Sequence, residues 1–367
     1  MTSVSLLLSG LVLSSGVGST YPVVLAQPGA PPMGRLEQAR VPAPSLLGAL
    51  LESSAVRRTT VYLPPSYDED EDRRYPVLYL LHAFGSGPES WLGVSGFEGL
   101  NIAQALDALA DSDPTKEFIV VMPDARTVLG GSWYTNSPVT GRWTDFIARD
   151  LVSFVDRAYR TQSSASARGI AGHAMGGYGA LRVALWYPNT FGAVVALSSP
   201  NLVTTNPFGV AGVRAALDVP DLSLLQLSDP VARLMWSKAA AFAPDPAHPP
   251  FYGRLPWREA EEGRLEHDPL GWPAWEASAL APHLAAHGDA LLDIPVRIEV
   301  GRRDPLRDES EAFAEALRAV GVRPRLELFD GAHIRGVRRH IEDSVLPFFA
   351  RVLNEPGDPG LAPAATR

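Results

Sequence analysis

Short apolar runs alternate with segments of helical periodicity along most of the 367-residue chain. Apolar or β-branched runs predict strands, and apolar positions spaced by three and four residues predict amphipathic helices. The predicted strands lie at 58–63, 76–81, 117–122, 170–171, 191–197, 294–300 and 324–329, and the predicted helices at 101–110, 145–159, 180–185, 309–320 and 337–353. This alternation predicts an α/β fold with a mostly parallel central sheet and helices on both of its faces.

Three stretches depart from this alternation. Residues 27–44 contain five prolines, so 27–57 is predicted to be a proline-rich linker or extension with little structure of its own. Residues 200–290 lack strand alternation and hold four of the eight tryptophans. They predict a lid-like cap, although peripheral helices whose tryptophans only pack are an equal alternative. The tail, 354–367, is predicted to be flexible, which leaves 58–353 as one α/β domain.

The N-terminal leader resembles a signal peptide. No charged side chain precedes Arg35, residues 4–13 are mostly apolar, and Val-Leu-Ala at 24–26 resembles a signal-peptidase site. Residues 1–26 are therefore predicted to direct the protein to the periplasm or outside the cell. A basic segment before the apolar run is missing, so a misassigned start and a cytoplasmic protein remain open. Ser, Gly and Pro22 dilute the apolar run, and stable membrane insertion is not expected.

Composition narrows the possible chemistry. The net charge of −9 argues against a nucleic-acid partner, because phosphate binding requires clustered Lys and Arg. The chain has no cysteine, which excludes disulfides, thiolate metal sites and a cysteine nucleophile.

Residues 168–180 hold the strongest chemical motif. A short apolar run enters a glycine-rich turn, and a helical pattern leaves it. The turn has the spacing Gly172-x-Ala174-x-Gly176, which is that of the G-x-S-x-G nucleophile elbow. An elbow of this kind holds a serine hydroxyl clear of the sheet, but alanine has no nucleophilic atom. The motif therefore predicts the architecture of a serine hydrolase without its attacking group.

The other members of a catalytic triad occur in the expected order. Asp304 directly follows the predicted strand 294–300, and His333 directly follows the strand 324–329. An acid and a histidine on loops after late strands are what this mechanism requires. Asp308 is the rival acid, but it falls at the start of a predicted helix, where a carboxylate commonly caps the helix.

The motif also predicts an oxyanion hole. We expect one N–H from Met175, directly after the elbow centre, and one from the loop after strand 76–81, where Phe84 is the favoured donor. His82 and His173 flank this region and are expected to shape the pocket and to contact the substrate. His283 and His287 are four residues apart, but they lack a third ligand and a general-base glutamate, so no metal is predicted.

With these residues in place, the chain resembles the esterase family of α/β-hydrolases that includes esterase D, feruloyl and acetyl-xylan esterases and mycolyltransferases. Five stretches carry the resemblance: 63–67, 75–82, 131–138 with Trp143 and Phe146, 171–181, and 301–304 with 331–333. It implies hydrolysis or acyl transfer of carboxylic esters, small or polymer-linked, without a cofactor, and substrate contacts from Trp133 and Tyr134. The chain departs from the family at Ala174 and at Ala83, where glycine is usual and a β-carbon could narrow the oxyanion hole.

Ala174 allows three interpretations. The first is an engineered substitution of serine by alanine. The second is a natural non-catalytic protein that binds a ligand, polymer or partner. The third is an enzyme in which another group attacks the ester. The last ranks lowest, since Ser198 and Ser199 lack an elbow and loss of the nucleophile leaves only about 10³–10⁴-fold acceleration over water. The sequence predicts an ester hydrolase that is inactive or nearly so as written.

Overall fold

One eight-stranded mixed sheet organises the protein. The computed structural model describes residues 33–51, 54–94, 96–203, 209–225 and 227–355. The strands run in the spatial order β1-β2-β4-β3-β5-β6-β7-β8. β1 and β2 are antiparallel to each other, β2 is antiparallel to β4, and the remaining neighbours are parallel. The strands are β1 (Arg35–Pro42), β2 (Val56–Leu63), β3 (Val77–Leu81), β4 (Ile119–Pro123), β5 (Arg168–His173), β6 (Ala193–Leu197), β7 (Val296–Gly301) and β8 (Arg325–Phe329).

Helices cover both faces of this sheet. The elements flanking the strands are α1 (Ile102–Ser112), α2 (143–158, with a π-helical stretch at Phe146–Leu151), α3 (Met175–Trp186), α9 (Arg307–Ala319) and α10 (337–354). Alternate residues of β3 point to opposite sides. Val77 and Tyr79 join the core beneath α2, α3 and α9, whereas Leu78 and Leu80 join the core beneath α1 and α10. The predicted α/β-hydrolase architecture is confirmed.

The linker prediction for 27–57 is wrong where β1 lies. β1 pairs with β2 over its whole length, and Val41 and the following Leu46 are fully buried. The sequence pattern does not reveal this strand because it lies at the edge of the sheet. Its alternate positions carry charges such as Arg35 and Glu37, and its last residue, Pro42, is a type common at sheet edges. The α/β domain therefore begins before residue 58.

Residues 200–290 form the bulk of an insertion between β6 and β7. It contains α4 (Gly209–Leu217), α5 (Leu222–Leu225), α6 (Pro230–Phe242), α7 (Gly271–Glu276), α8 (Leu284–His287) and a small ribbon of Trp257–Glu259 with Leu265–His267. Two of its tryptophans clearly pack. Trp275 is fully buried, and Trp236 stacks on Phe251 at 4.1 Å. These contacts favour a packing role for Trp236 and Trp275, while a lid function of the insertion stays a prediction.

Two further predictions concern the ends of the chain. The predicted signal peptide, 1–26, lies outside the described residues, as does the tail from residue 356 onward. No helix within the described ranges combines the length and the apolar character needed to cross a membrane.

Candidate active site

The elbow between β5 and α3 is sharply bent at Ala174. Its backbone has φ 51° and ψ −116°, a conformation that costs a residue with a β-carbon about 1–3 kcal/mol. The flanking glycines allow close approach. A Cβ on Gly172 would lie 2.3 Å from the carbonyl carbon of Gly176, and one on Gly176 would lie 2.0 Å from the Leu81 oxygen. The sequence thus places residue 174 at the end of β5, against the end of β3.

Asp304 and His333 meet, as the sequence predicts. His333 Nδ1 lies 3.1 Å from Asp304 Oδ2, and the Asp304 side chain is fully buried. Burial opposes ionisation of the Asp304 carboxyl. The hydrogen bonds that it accepts from His333 and from the Leu306 N–H outweigh burial and hold its pKa below the ordinary value. The carboxylate therefore keeps a proton on Nδ1 and leaves His333 Nε2 able to accept one.

The rival acid takes the structural position expected of it. Asp308 lies in the first turn of α9 and is exposed to solvent. It is Asp304, and not Asp308, that contacts His333.

His173 connects the elbow to the loop that carries His333. The His173 Nε2 lies 2.7 Å from the His333 carbonyl oxygen, and the two ring centroids are 4.9 Å apart. Burial and then the nearby His333 lower the pKa of His173 to about 3, so the ring is neutral at physiological pH. Because His173 precedes Ala174, this contact brings His333 to the elbow.

Two N–H groups are available for a developing oxyanion. Neither the Phe84 nor the Met175 N–H donates to an acceptor in the described part of the chain. Met175 is the first residue of α3, where backbone N–H groups point outward and the helix dipole favours negative charge. A Cβ on Gly131 would lie 2.6 Å from Met175 Sδ and 2.9 Å from Phe84 Cδ2. The two predicted donors therefore belong to residues whose side chains border the same glycine.

Ala83 fits the predicted oxyanion loop without a positive φ. Its φ is not positive, so a β-carbon is tolerated where the family usually has glycine. Its carbonyl oxygen accepts hydrogen bonds from the Ser86 N–H at 3.2 Å and from His82 Nδ1 at 2.8 Å.

His82 holds the loop after β3 in place through two hydrogen bonds of its ring. The ring is fully buried, its Nδ1–H donates to the Ala83 carbonyl, and its Nε2 accepts from the Ala125 N–H at 2.9 Å. Burial lowers the pKa of His82, and the neutral ring can serve as both donor and acceptor. His82 therefore links the loop after β3 to the segment after β4.

Trp133 and Tyr134 are also buried beside the site. Tyr134 Oη donates to the His82 carbonyl oxygen at 3.1 Å, and Trp133 Nε1 donates to Ser237 Oγ at 3.1 Å. Both residues have positive φ, 53° and 47°, a strain often found near functional sites. Their contacts favour a supporting role, and substrate contact by these two residues and by His82 and His173 stays a prediction. No pattern in the sequence predicts the hydrogen bond between Trp133 and Ser237 of α6.

The remaining histidine and serine candidates have other environments. His283 Nε2 lies 2.6 Å from the Ala277 carbonyl oxygen, and His287 stacks on Trp186. In the described ranges, no group of three His, Cys, Asp or Glu residues could hold a metal ion. Ser198 and Ser199 are buried, and a Cβ on Gly177 would lie 2.0 Å from Ser199 Oγ. Neither serine stands on an exposed turn.

Known proteins resemble this chain in sequence. Residues 54–338 match the family described as Putative esterase. Esterase MT1326 of Mycobacterium tuberculosis is 33% identical over 147 residues, covering 38% of this chain and 28% of that protein. An endo-1,4-beta-xylanase/feruloyl esterase of Xylanibacter ruminicola is 31% identical over 145 residues, covering 38% and 19%. The match thus spans less than a third of each of these relatives.

Solved structures share the fold. A ferulic acid esterase superposes with a TM-score of 0.59 at 20% identity, covering 87% of this chain and 99% of that one. The Staphylococcus aureus fluorophosphonate-binding serine hydrolase F gives 0.56 at 17%, covering 88% and 100%. A serine-to-alanine mutant of the Clostridium thermocellum feruloyl esterase module, complexed with sinapinate, gives 0.52 at 16%, covering 87% and 89%. Because the family match spans most of the chain, this protein belongs to the Putative esterase family of α/β-hydrolases.

Proposed function

We propose that this chain is a serine-esterase scaffold for carboxylic esters that is inactive, or nearly so, because alanine occupies the nucleophile position. The observation that carries the proposal is the pairing of His333 with the buried Asp304 beside the bent turn at Ala174. The N–H groups of Phe84 and Met175, which have no acceptor among the described residues, support it. All parts of the mechanism other than the attacking oxygen have a candidate.

A serine at position 174 would complete the reaction. Its hydroxyl oxygen would attack the ester carbonyl carbon as His333 Nε2 takes the hydroxyl proton, and the carbonyl oxygen would become the oxyanion held by the two N–H groups. The C–O bond to the alcohol then breaks, and His333 returns the proton to the departing alcohol. Next, His333 takes a proton from water as the water oxygen attacks the acyl carbon. The bond from that carbon to the serine oxygen then breaks, His333 returns the proton to the serine oxygen, and the acid is released.

Alanine stops this sequence at its first step. Its methyl group has no electron pair to donate, so only binding, the oxyanion hole and His333 remain to assist attack by water. In a serine hydrolase those contributions leave about 10³–10⁴-fold acceleration over the uncatalysed reaction. We therefore expect slow turnover at most.

The retained hydrogen-bonding groups of the site support a second function, which is ester or acid binding without turnover. The hydrogen-bond donors of the site are retained although the nucleophile is absent. The names of the relatives suggest aromatic acyl groups such as ferulate as the first class to test, with acyl transfer as a further possibility for the same scaffold. Calorimetry of the chain as written with methyl ferulate would detect such binding.

The test of the esterase proposal is restoration of the hydroxyl. Ala174→Ser should hydrolyse p-nitrophenyl acetate or methyl ferulate at least about 10²-fold faster than the chain as written. Ala174→Gly is the matched control, because it relaxes the backbone at the same position without adding an oxygen, and it should remain inactive. A second control, His333→Ala combined with Ala174→Ser, should abolish the gain.

Two results would overturn the proposal. No activity from a folded Ala174→Ser variant on either ester class would remove support for the Asp304–His333 assignment. Rapid turnover by the chain as written would show that the nucleophile lies elsewhere.

A further inference from the structure

We propose that His173 is a positioning residue that holds the loop of the catalytic base at the elbow through a hydrogen bond from its Nε2–H to the His333 carbonyl oxygen. The inference rests on the proposed esterase function for its catalytic meaning. It assigns His173 a supporting role in place of the substrate contact that the sequence suggested.

The hydrogen bond fixes the tautomer of His173. A carbonyl oxygen only accepts, so the 2.7 Å contact requires the proton to be on Nε2. The ring is completely buried. It packs edge-to-face against Phe97, with 4.8 Å between the two ring centroids. Nδ1 has no hydrogen-bond partner among the described residues. A neutral ring is the form that such surroundings tolerate, because a charged one would leave a second N–H unbonded.

The charge state of His173 suits a place beside the base. The titratable groups that act on it are His333 and Asp304, and burial has the largest effect on its pKa, which lies at about 3. His333 becomes positively charged when it takes the proton of the nucleophile. A neutral His173 adds no repulsion at that moment, even though the two ring centroids are only 4.9 Å apart.

Two contacts then fix His333 from different sides. Asp304 orients the imidazole through Nδ1, and His173 holds the backbone of the same residue. His333 needs this support because its side chain is 37% exposed. Since His173 adjoins residue 174 in the chain, the hydrogen bond ties the base directly to the nucleophile position. Small errors in such a distance reduce rates strongly.

A matched pair of variants in the Ala174→Ser background tests the role in catalysis. His173→Met fills similar space without a donor, whereas His173→Gln can present an amide N–H at a similar reach. We expect His173→Met to lower kcat about 10²-fold with KM changed less than about threefold, and His173→Gln to recover at least about tenfold of the loss. Equal kcat values for the two variants in folded protein would overturn the proposal.

Nitrogen NMR of the histidine rings gives a readout that does not depend on activity. In the chain as written, His173 should remain the neutral Nε2–H tautomer from about pH 7 to about pH 5, below the ordinary histidine pKa. An Nδ1–H tautomer, or protonation of His173 within that range, would refute the hydrogen bond. If Ala174→Ser proves inactive while this NMR result holds, the esterase proposal fails and the structural link between His173 and His333 stands.

Discussion

At the scale of single residues, the acid of the triad is the assignment most open to direct test. Asp304 is buried and contacts His333, whereas Asp308 lies four residues later on the exposed first turn of α9. A buried carboxylate that holds a histidine tautomer contributes far more to the rate than a surface charge does.

Exchange of each carboxylate for its amide separates the two candidates. In the Ala174→Ser background, Asp304→Asn should lower kcat about 10³–10⁴-fold, because the amide favours the wrong His333 tautomer. Asp308→Asn should change kcat less than about threefold. Initial rates on p-nitrophenyl acetate measure both, and a larger loss from Asp308→Asn would contradict the assignment.

Much of the site could be predicted at this scale. Ala174, Asp304 and His333 were found because a chemical motif and the chain order of a known mechanism point to specific loops. The role of His173 could not be found in this way. Its hydrogen bond joins residues 160 positions apart, and the sequence shows a histidine next to the elbow without showing what its ring meets.

At the scale of elements, the packing of α3 against β3 depends on glycine at position 176. A Cβ there would meet the backbone of Leu81 at 2.0 Å and 2.6 Å, and backbone atoms in a sheet cannot move aside cheaply. Glycine at the elbow is therefore needed for α3 to approach β3 closely, in addition to being part of the catalytic motif.

Gly176→Ala is predicted to destabilise the protein by more than about 3 kcal/mol, through overpacking. Gly288→Ala is the control, because its Cβ would meet side-chain atoms, Val320 Cγ2 at 3.0 Å and Leu284 Cβ at 3.9 Å, and should cost less than about 1 kcal/mol. Urea denaturation monitored by tryptophan fluorescence compares the two. Equal midpoints for Gly176→Ala and the parent chain would contradict this account.

The elements themselves were predictable to different degrees. β3, β4 and β6 are buried on both faces, so each appears in the sequence as a continuous apolar run. β1 gives no such run, because only alternate positions such as Ala39 and Val41 are buried. The insertion was recognised by the loss of alternation, but its helices could not be placed from the sequence.

At the scale of the whole molecule, the burial of Lys238 in the insertion makes the free energy of unfolding depend on pH. The residue lies on α6, only 2% exposed, with its ammonium group 5.3 Å from the Trp133 ring centroid and 5.1 Å from that of Trp275. Burial lowers its pKa to about 7, although Glu309 acts in the opposite direction. Between this value and the pKa of an unfolded lysine, unfolding takes up a proton at Lys238.

The free energy of unfolding attributable to Lys238 should therefore rise with pH between about 7 and about 10, at up to about 1.4 kcal/mol per pH unit. Below about pH 7 both states are protonated and the contribution is flat. Denaturation of the parent chain and of Lys238→Met at several pH values gives this contribution as the difference between their free energies of unfolding. Met235→Leu, which changes another buried residue of α6, is the control, and its free energy of unfolding should run parallel to that of the parent. A constant difference between Lys238→Met and the parent would contradict the prediction.

We propose that this chain carries a complete serine-esterase site except for one oxygen atom. Intact-mass measurement after treatment with an organophosphorus fluoride tests it most directly, because such reagents bond covalently to an activated serine oxygen. We predict stoichiometric addition at position 174 in the Ala174→Ser variant. The chain as written and the Ala174→Ser, His333→Ala double variant should show none. Labelling of the chain as written at another serine, or failure of folded Ala174→Ser to react, would contradict the claim.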